Sequence, residues 1–187
     1  MDFPQTDPNA EPVQAQSLPP LPQLWIGFLF GIGAVVAEFI AVSLHPELAQ
    51  GERAIPPLYL FLVIFLGLVY WLVCVHRYHV ILQRVPGWKH PISPARAVGF
   101  HFIPIYYLYW VFKWPKEIAT FVNARVRQPL MKPWLTGFMI LAAFVAGPFF
   151  DPGLGLALLF FALSYVSACL RRALATPAQP AETIPPA

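Results

Sequence analysis

The chain has 187 residues, of which 58% are hydrophobic and only 11% are charged, with a formal net charge of +3. A soluble domain carries roughly 25% charged residues, so this composition excludes a water-soluble globule of this size. Two cysteines give no disulfide framework, and an apolar aromatic block inside the most basic stretch argues against nucleic-acid binding. We therefore expect an all-α polytopic integral membrane protein.

Two proline-rich segments flank the apolar part of the chain. Residues 1–23 contain six prolines and three acids, and residues 176–187 contain four prolines. Neither segment has enough apolar side chains to offset the entropy that is lost on folding, so both are predicted to be disordered tails. The helical membrane domain is therefore predicted to cover residues 24–175.

Four apolar segments between these tails are long enough to cross a bilayer: residues 24–44, 58–75, 134–150 and 153–170. A hydrocarbon core of about 30 Å needs about 20 helical residues, with a lower limit of about 17. The last two segments are separated by Asp-Pro-Gly, which is typical of a tight turn because proline fixes its own φ and glycine accepts φ > 0. We predict four transmembrane helices, with the last two forming a hairpin.

Basic residues are concentrated in residues 77–133, which hold nine of the twelve Lys and Arg and a single acid, Glu117. With four spans, this segment lies on the same side as Arg171 and Arg172, so eleven of the twelve basic residues share one face and only Arg53 lies opposite. Positively charged segments stay on the cytoplasmic side. We expect both termini in the cytoplasm, at a bacterial plasma membrane or a thylakoid-type membrane.

An aromatic apolar stretch, residues 97–112, interrupts the basic segment. It has 16 residues, contains His101 and Pro104, and is flanked by basic residues at both ends. If it crossed the membrane, four basic residues would lie on one side and eight on the other, against the positive-inside rule. Pro104 also removes a backbone donor, which disfavours a full span. We predict that this stretch lies in the inner interface or dips into the membrane and returns.

An amphipathic cytoplasmic helix is predicted after this stretch. Pro115 suits a first helical position, and the helix is expected to end before Pro129. Its apolar side chains recur at helical spacing and share one face: Ile118, Phe121, Val122 and Val126. Two interpretations remain open, since such a helix can lie on an anionic membrane surface or pack against its own bundle.

The cationic side chains of this region form the predicted binding site for lipid or a partner. Each Lys or Arg near an anionic membrane surface contributes about 1 kcal/mol to binding. The leading hypothesis is a non-enzymatic accessory or assembly protein that gathers anionic lipid or a larger membrane complex at its basic face. The residues that carry it are Lys113, Lys116, Arg125, Arg127 and Lys132.

Glu38 is the only ionisable residue inside a predicted span, and intramembrane charges are often functional. Small residues at i, i+4 spacing, such as Gly27 and Gly31, also let helices approach closely in lipid. Together they suggest an alternative, a small oligomeric channel or transporter built around the first helix. A packing role for Glu38 and the glycines within one chain is the simpler interpretation.

Histidines suggest a further alternative, a haem or metal protein that uses His76 and His101. No cysteine pair or carboxylate joins them at ligand spacing, so we expect no cofactor. The sequence also shows no Ser-His-Asp set, glycine-rich phosphate loop or paired carboxylates, and we assign no catalytic residue.

The run S-P-A-R-A-V-G-F-H-F-I-P-I-Y-Y-L at residues 93–108 resembles a known pattern. It is similar to S-P-G-x-A-V-G-x-x-F-I-P-I-x-N-L of an uncharacterised bacterial multi-pass membrane family, domain of unknown function 4328, with the likeness covering about residues 70 to 125. Ala95 replaces the usual Gly, and Tyr107 replaces the usual Asn. The resemblance implies a membrane location.

Overall fold

The computed structural model describes residues 18–46 and 57–177, in which the regular structure is entirely helical. These residues form six α-helices and one short 3-10 helix, Phe100–Phe102, and contain no strand. Residues 1–17 and 178–187, which belong to the predicted tails 1–23 and 176–187, and Arg53 lie outside the described residues. The α-helices are α1 Leu24–Leu44, α2 Leu58–Gln83, α3 Pro94–Gly99, α4 Tyr106–Val126, α5 Pro133–Phe149 and α6 Pro152–Ala175.

Three of these helices, α1, α2 and α6, are long and apolar enough to cross a membrane, and α5 is a shorter apolar helix of 17 residues. The expectation of an all-helical chain with several helices able to cross a membrane is therefore confirmed for the described residues. Both α2 and α6 continue past their predicted ends at residues 75 and 170. Hydropathy falls there, but Tyr78, Ile81 and Leu82 on α2 and Ala173 on α6 are buried, so packing extends each helix beyond its most apolar part.

Small residues bring the helices together around α6. A methyl group on Gly27 of α1 would overlap the ring of Phe160. Gly31 of α1 lies against the backbone of Ala157, and Gly155 of α6 lies against that of Gly147 on α5. These glycines are therefore occupied by contacts within one chain. Close approach of this kind gains dispersion energy, which is the main packing term between helices in lipid.

The segment before α1 is attached to α2. The hydroxyl of Tyr70 donates to the carbonyl of Gln23 at 2.7 Å, and Nε of Arg77 donates to the carbonyl of Pro20 at 2.8 Å. Leu18 also packs against the core. Residues 18–23 therefore differ from the disordered tail that their composition predicts, because these two hydrogen bonds and the leucine contact hold them against the bundle.

The region after α2 turns back inside the bundle. The side chain of Ser93 caps α3 by accepting a hydrogen bond from the Arg96 amide. The indole of Trp110 on α4 then donates to the carbonyl of Ala97 at 3.1 Å, which holds α3 against α4. Ile105, at the turn between them, has a φ of +64°, a strained value for a β-branched residue.

The prediction that a helix begins at Pro115 is wrong, because α4 begins at Tyr106 and passes through Pro115. Proline inside a helix removes one backbone hydrogen bond and costs about 3 kcal/mol. This cost is offset by a continuous buried face on both sides of the proline. It consists of Trp110, Val111, Trp114, Ile118, Phe121 and Val122.

Ring contacts locate the turn between α3 and α4 about halfway along the bundle. The ring of His101 lies 4.9 Å from that of Trp71, near the middle of α2. The ring of Tyr107 lies 5.1 Å from that of Phe144 on α5, and further along α4 Phe112 lies 5.3 Å from Phe138. The chain thus enters through α3 and leaves through α4 at the same end of the bundle.

The contact between α5 and α6 gives a matched pair of stability predictions. A methyl group on Gly155 would lie 2.8 Å from Cα of Gly147 and 2.9 Å from the carbonyl oxygen of Ala143, whereas one on Gly147 would meet nothing closer than 3.9 Å. We expect Gly155→Ala to force the helices apart and to lower the free energy of unfolding by about 1–3 kcal/mol.

Gly147→Ala is the control, because it adds a methyl group in ordinary contact and improves helix propensity. Thermal unfolding of both variants in detergent measures the difference. Equal unfolding midpoints for the two variants would contradict the packing of α5 on α6 described here.

Candidate functional site at the basic end

Charge is divided between the two ends of the bundle. All eleven Lys and Arg in the described residues belong to the half that contains the start of α1, the end of α2, the region 84–133 and the end of α6. Of the three acids in the same described residues, only Glu117 lies in this half. We call this half the basic end.

Glu38 lies in the other half, on α1. Its carboxyl group lies near that of Asp151, at the start of α6, and its Oε2 atom is buried without a hydrogen-bond partner. Asp151 also caps α6 by accepting a hydrogen bond from the amide of Leu154. The sequence did not predict this pair, because the two residues are more than one hundred positions apart.

Lys113, the first of the predicted site residues, is engaged within its own helix. Its Nζ lies 2.6 Å from Oε1 of Glu117, one turn later on α4. This pairing offsets the positive charge of Lys113. The preceding residue, Phe112, packs its ring on that of Phe138 in α5. Lys113 therefore contributes less to the attraction of an anionic ligand than its charge alone predicts.

Arg125 and Arg127 lie together where α4 ends. Nε of Arg125 donates to the carbonyl of Thr176 at 3.0 Å, which joins α4 to the end of α6. Arg127 is exposed and has a φ of +55°, so it ends the helix in a left-handed conformation. Both line a recess of about 320 Å³, together with Ala124, Val126, Thr176 and Pro177.

The remaining predicted residues, Lys116 and Lys132, are exposed at the basic end but do not line this recess. The connection that carries Lys132 is held by two side chains. Asn123 of α4 both donates to and accepts from the backbone of Met131, at 3.0 and 2.8 Å, and Tyr165 of α6 accepts from the Lys132 amide at 2.9 Å. A lone asparagine on a helix carries no sequence signal for this role.

The apolar face of α4 packs against the protein's own bundle, which was one of the two predicted alternatives. Ile118, Phe121 and Val122 are buried, and Val126 is half-buried. The face is therefore covered by other helices, and the outward side presents polar groups such as Lys116 and Thr120. Any attraction of α4 to a membrane surface thus rests on charge.

The histidines form a pair that the sequence did not reveal. Nδ1 of His79 lies 2.7 Å from Nε2 of His90, and the ring of Trp114 lies 6.2 Å from that of His79. His76 is exposed near the end of α2, whereas His101 lies against Trp71. Within residues 18–46 and 57–177 no group of three or more His, Cys, Asp or Glu side chains could hold a metal ion.

No protein-family profile, curated protein or solved structure matches this chain. The likeness of residues 93–108 to the uncharacterised membrane family therefore stays a prediction from the motif. The physical arrangement of the basic end is what bears on function.

His90 gives a pH prediction. Burial lowers its pKa from 6.5 to about 4, and the nearby Glu117 carboxylate only partly counters this. The folded state thus favours neutral His90. Its contribution to stability is complete above pH 6.5 and is lost as the pH falls towards 4. We expect the unfolding temperature of the wild type in detergent to fall across this range, and less steeply for His90→Gln.

His76→Gln serves as the control for that series, since the His76 side chain is exposed at the end of the same helix. It should keep the pH dependence of the wild type. The same slope in the wild type and in His90→Gln would show that His90 does not carry the effect.

Proposed function

We propose that this protein is a non-enzymatic integral membrane protein that gathers anionic lipid at its basic end, as an accessory or assembly component of a larger membrane complex. The observation that carries the proposal is the separation of charge. Eleven cationic side chains and one acid lie in one half of the described bundle, and Glu38 and Asp151 lie in the other half. No catalytic role is assigned to any residue.

The membrane arrangement proposed here has four spans, with α5 as the third. Its 17 residues correspond to about 26 Å of helix, close to the thickness of a hydrocarbon core. It packs against α6 through glycine contacts, as a membrane hairpin would. Residues 94–126 then form a re-entrant segment, in which α3 packs against α2 and α4 packs against α5 and α6.

The orientation follows from the same charges. Basic segments remain on the cytoplasmic side, so the proposal places the basic end and both termini in the cytoplasm of a bacterial cell. The exposed apolar side chains of α1 and α2, such as Phe39 and Phe61, then face lipid. Anionic lipids of the inner leaflet lie directly against the basic end.

The recess beside Arg125 and Arg127 suits a phosphate headgroup. A guanidinium group presents several N–H donors in a planar fork, and this fork pairs with phosphate oxygens in a bidentate way. Arg125 uses Nε for Thr176, which orients the group and leaves its terminal nitrogens for a ligand. Lys116 and Lys132 add positive charge to the basic end.

The channel alternative receives less support. It requires Glu38 and the glycines of α1 to line a pathway between copies of the chain. Glu38 is close to Asp151, and Gly27 and Gly31 are covered by α6 of the same chain. The glycines therefore have packing partners within the chain that account for them.

Neutralising exposed cations tests the lipid part of the proposal. We expect the triple variant Lys116→Gln, Arg127→Gln, Lys132→Gln to bind phosphatidylglycerol at least tenfold more weakly than the wild type at low salt, since each cation contributes about 1 kcal/mol. The difference should shrink at about 0.5 M salt, where charges are screened within a few ångströms. Titration of a fluorescent lipid into protein in uncharged micelles measures the affinity.

The matched control is Thr120→Ala with Gln128→Ala, which changes two exposed uncharged residues of the same region. It should retain the affinity of the wild type. Phosphatidylcholine should bind all three proteins alike. An unchanged affinity of the triple variant for phosphatidylglycerol would reject lipid binding at this surface.

A further inference from the structure

A cleft of about 720 Å³ lies between α2 and the turn that joins α3 to α4. It differs from the basic end in chemical character, because its lining is apolar and aromatic. Phe102, Ile105 and Leu108 form its rim and are more than half exposed on the outer surface of the bundle. In a membrane this surface meets lipid tails, so the cleft opens towards the hydrocarbon.

Three polar atoms in the lining of this cleft are buried without a hydrogen-bond partner. They are Nε1 of Trp71, Nε2 of His101 and the hydroxyl oxygen of Tyr107. Trp71 is only 2% exposed. A buried polar group without a partner costs free energy, and it costs more in a lipid environment, where no bulk water is present. Three of the nine such atoms in the described residues belong to this one cleft, and a ligand bound there would satisfy them.

The hydrogen-bonding character of these atoms restricts the ligand. Nδ1 of His101 lies 3.3 Å from the carbonyl oxygen of Val98, so Nδ1 carries the proton and Nε2 is an acceptor. The indole of Trp71 is a donor, and the Tyr107 hydroxyl donates or accepts. A fitting headgroup therefore carries both an oxygen that accepts a hydrogen bond and a hydroxyl that donates one.

The surroundings restrict the ligand further. No Lys, Arg, Asp or Glu lines the cleft, so a charged phosphate or ammonium headgroup would lack a counter-charge. Four rings meet there at centroid distances of 4.9 Å for Trp71 and His101, 5.9 Å for His101 and Tyr107, and 5.1 Å for Tyr107 and Phe144. Aromatic walls of this kind suit a flat ring.

We propose that this cleft binds an uncharged lipid-soluble molecule of the quinone and quinol class. The ring enters between Trp71, His101 and Tyr107, whose side chains turn towards it. A quinol hydroxyl then donates to Nε2 of His101, and an oxygen of the ring accepts from the indole of Trp71 or the hydroxyl of Tyr107. The hydrophobic tail leaves over Phe102 and Leu108 into the lipid. This site is independent of lipid binding at the basic end.

Binding of decylhydroquinone, the quinol form, to the purified protein under anaerobic conditions tests the proposal. We expect saturable binding of one molecule per chain, above the partition into protein-free micelles. Tyr107→Phe removes a single oxygen atom and should raise the Kd about five- to tenfold, the effect of one hydrogen bond. Tyr109→Phe is the matched control, because Tyr109 is exposed on the same helix and should change the Kd less than twofold.

Val69→Trp provides a second measurement that removes no polar group. Val69 lines the cleft and is 39% exposed, so a larger side chain fills the entrance without disturbing the core. It should abolish binding, while neutralising Lys116, Arg127 and Lys132 should leave it unchanged. The absence of saturable binding would overturn the proposal, as would equal affinity of Tyr107→Phe and the wild type, or equal affinity for decylbenzene or decanoic acid.

Discussion

The cost of moving a charged group from water into hydrocarbon is the constraint on which this structure depends. It accounts for the separation of eleven described cations from Glu38 and Asp151 by the length of the bundle. It also accounts for the path of residues 94–126, which enter and leave at the basic end. A crossing there would carry Lys113, Lys116 and Arg125 to the opposite side. Turning back within the bundle keeps them with the other cations.

A second requirement, close packing of helices without a hydrophobic driving force between them, shapes the rest of the bundle. Glycines on α1, α5 and α6 permit backbone contact, and this contact fixes where the end of α6 lies relative to α4. The hydrogen bond from Arg125 to Thr176 depends on that position. Packing in the apolar half thus positions the cationic side chains of the other half.

Much of this arrangement is predictable from the sequence, because hydropathy and charge act locally. The four apolar helices, their small-residue faces and the cationic cluster follow from composition and spacing. Contacts between residues far apart in the sequence cannot be predicted in this way. The sequence predicts that the helix begins at Pro115, because proline favours the first helical position. In the structure α4 begins at Tyr106, because burial of Trp110 and Trp114 outweighs that preference. The pairs His79–His90 and Glu38–Asp151, and the cleft at Trp71, join residues whose proximity only the folded chain creates.

The most direct measurement compares the accessibility of Lys89 and Lys116, two exposed residues on either side of the returning segment. Single cysteines would replace them in a chain whose buried Cys74 and Cys169 are changed to alanine, with Pro46→Cys as the marker of the opposite end. A membrane-impermeant thiol reagent should label positions 89 and 116 only from the cytoplasmic side and position 46 only from outside. Labelling of positions 89 and 116 from opposite sides would contradict the account.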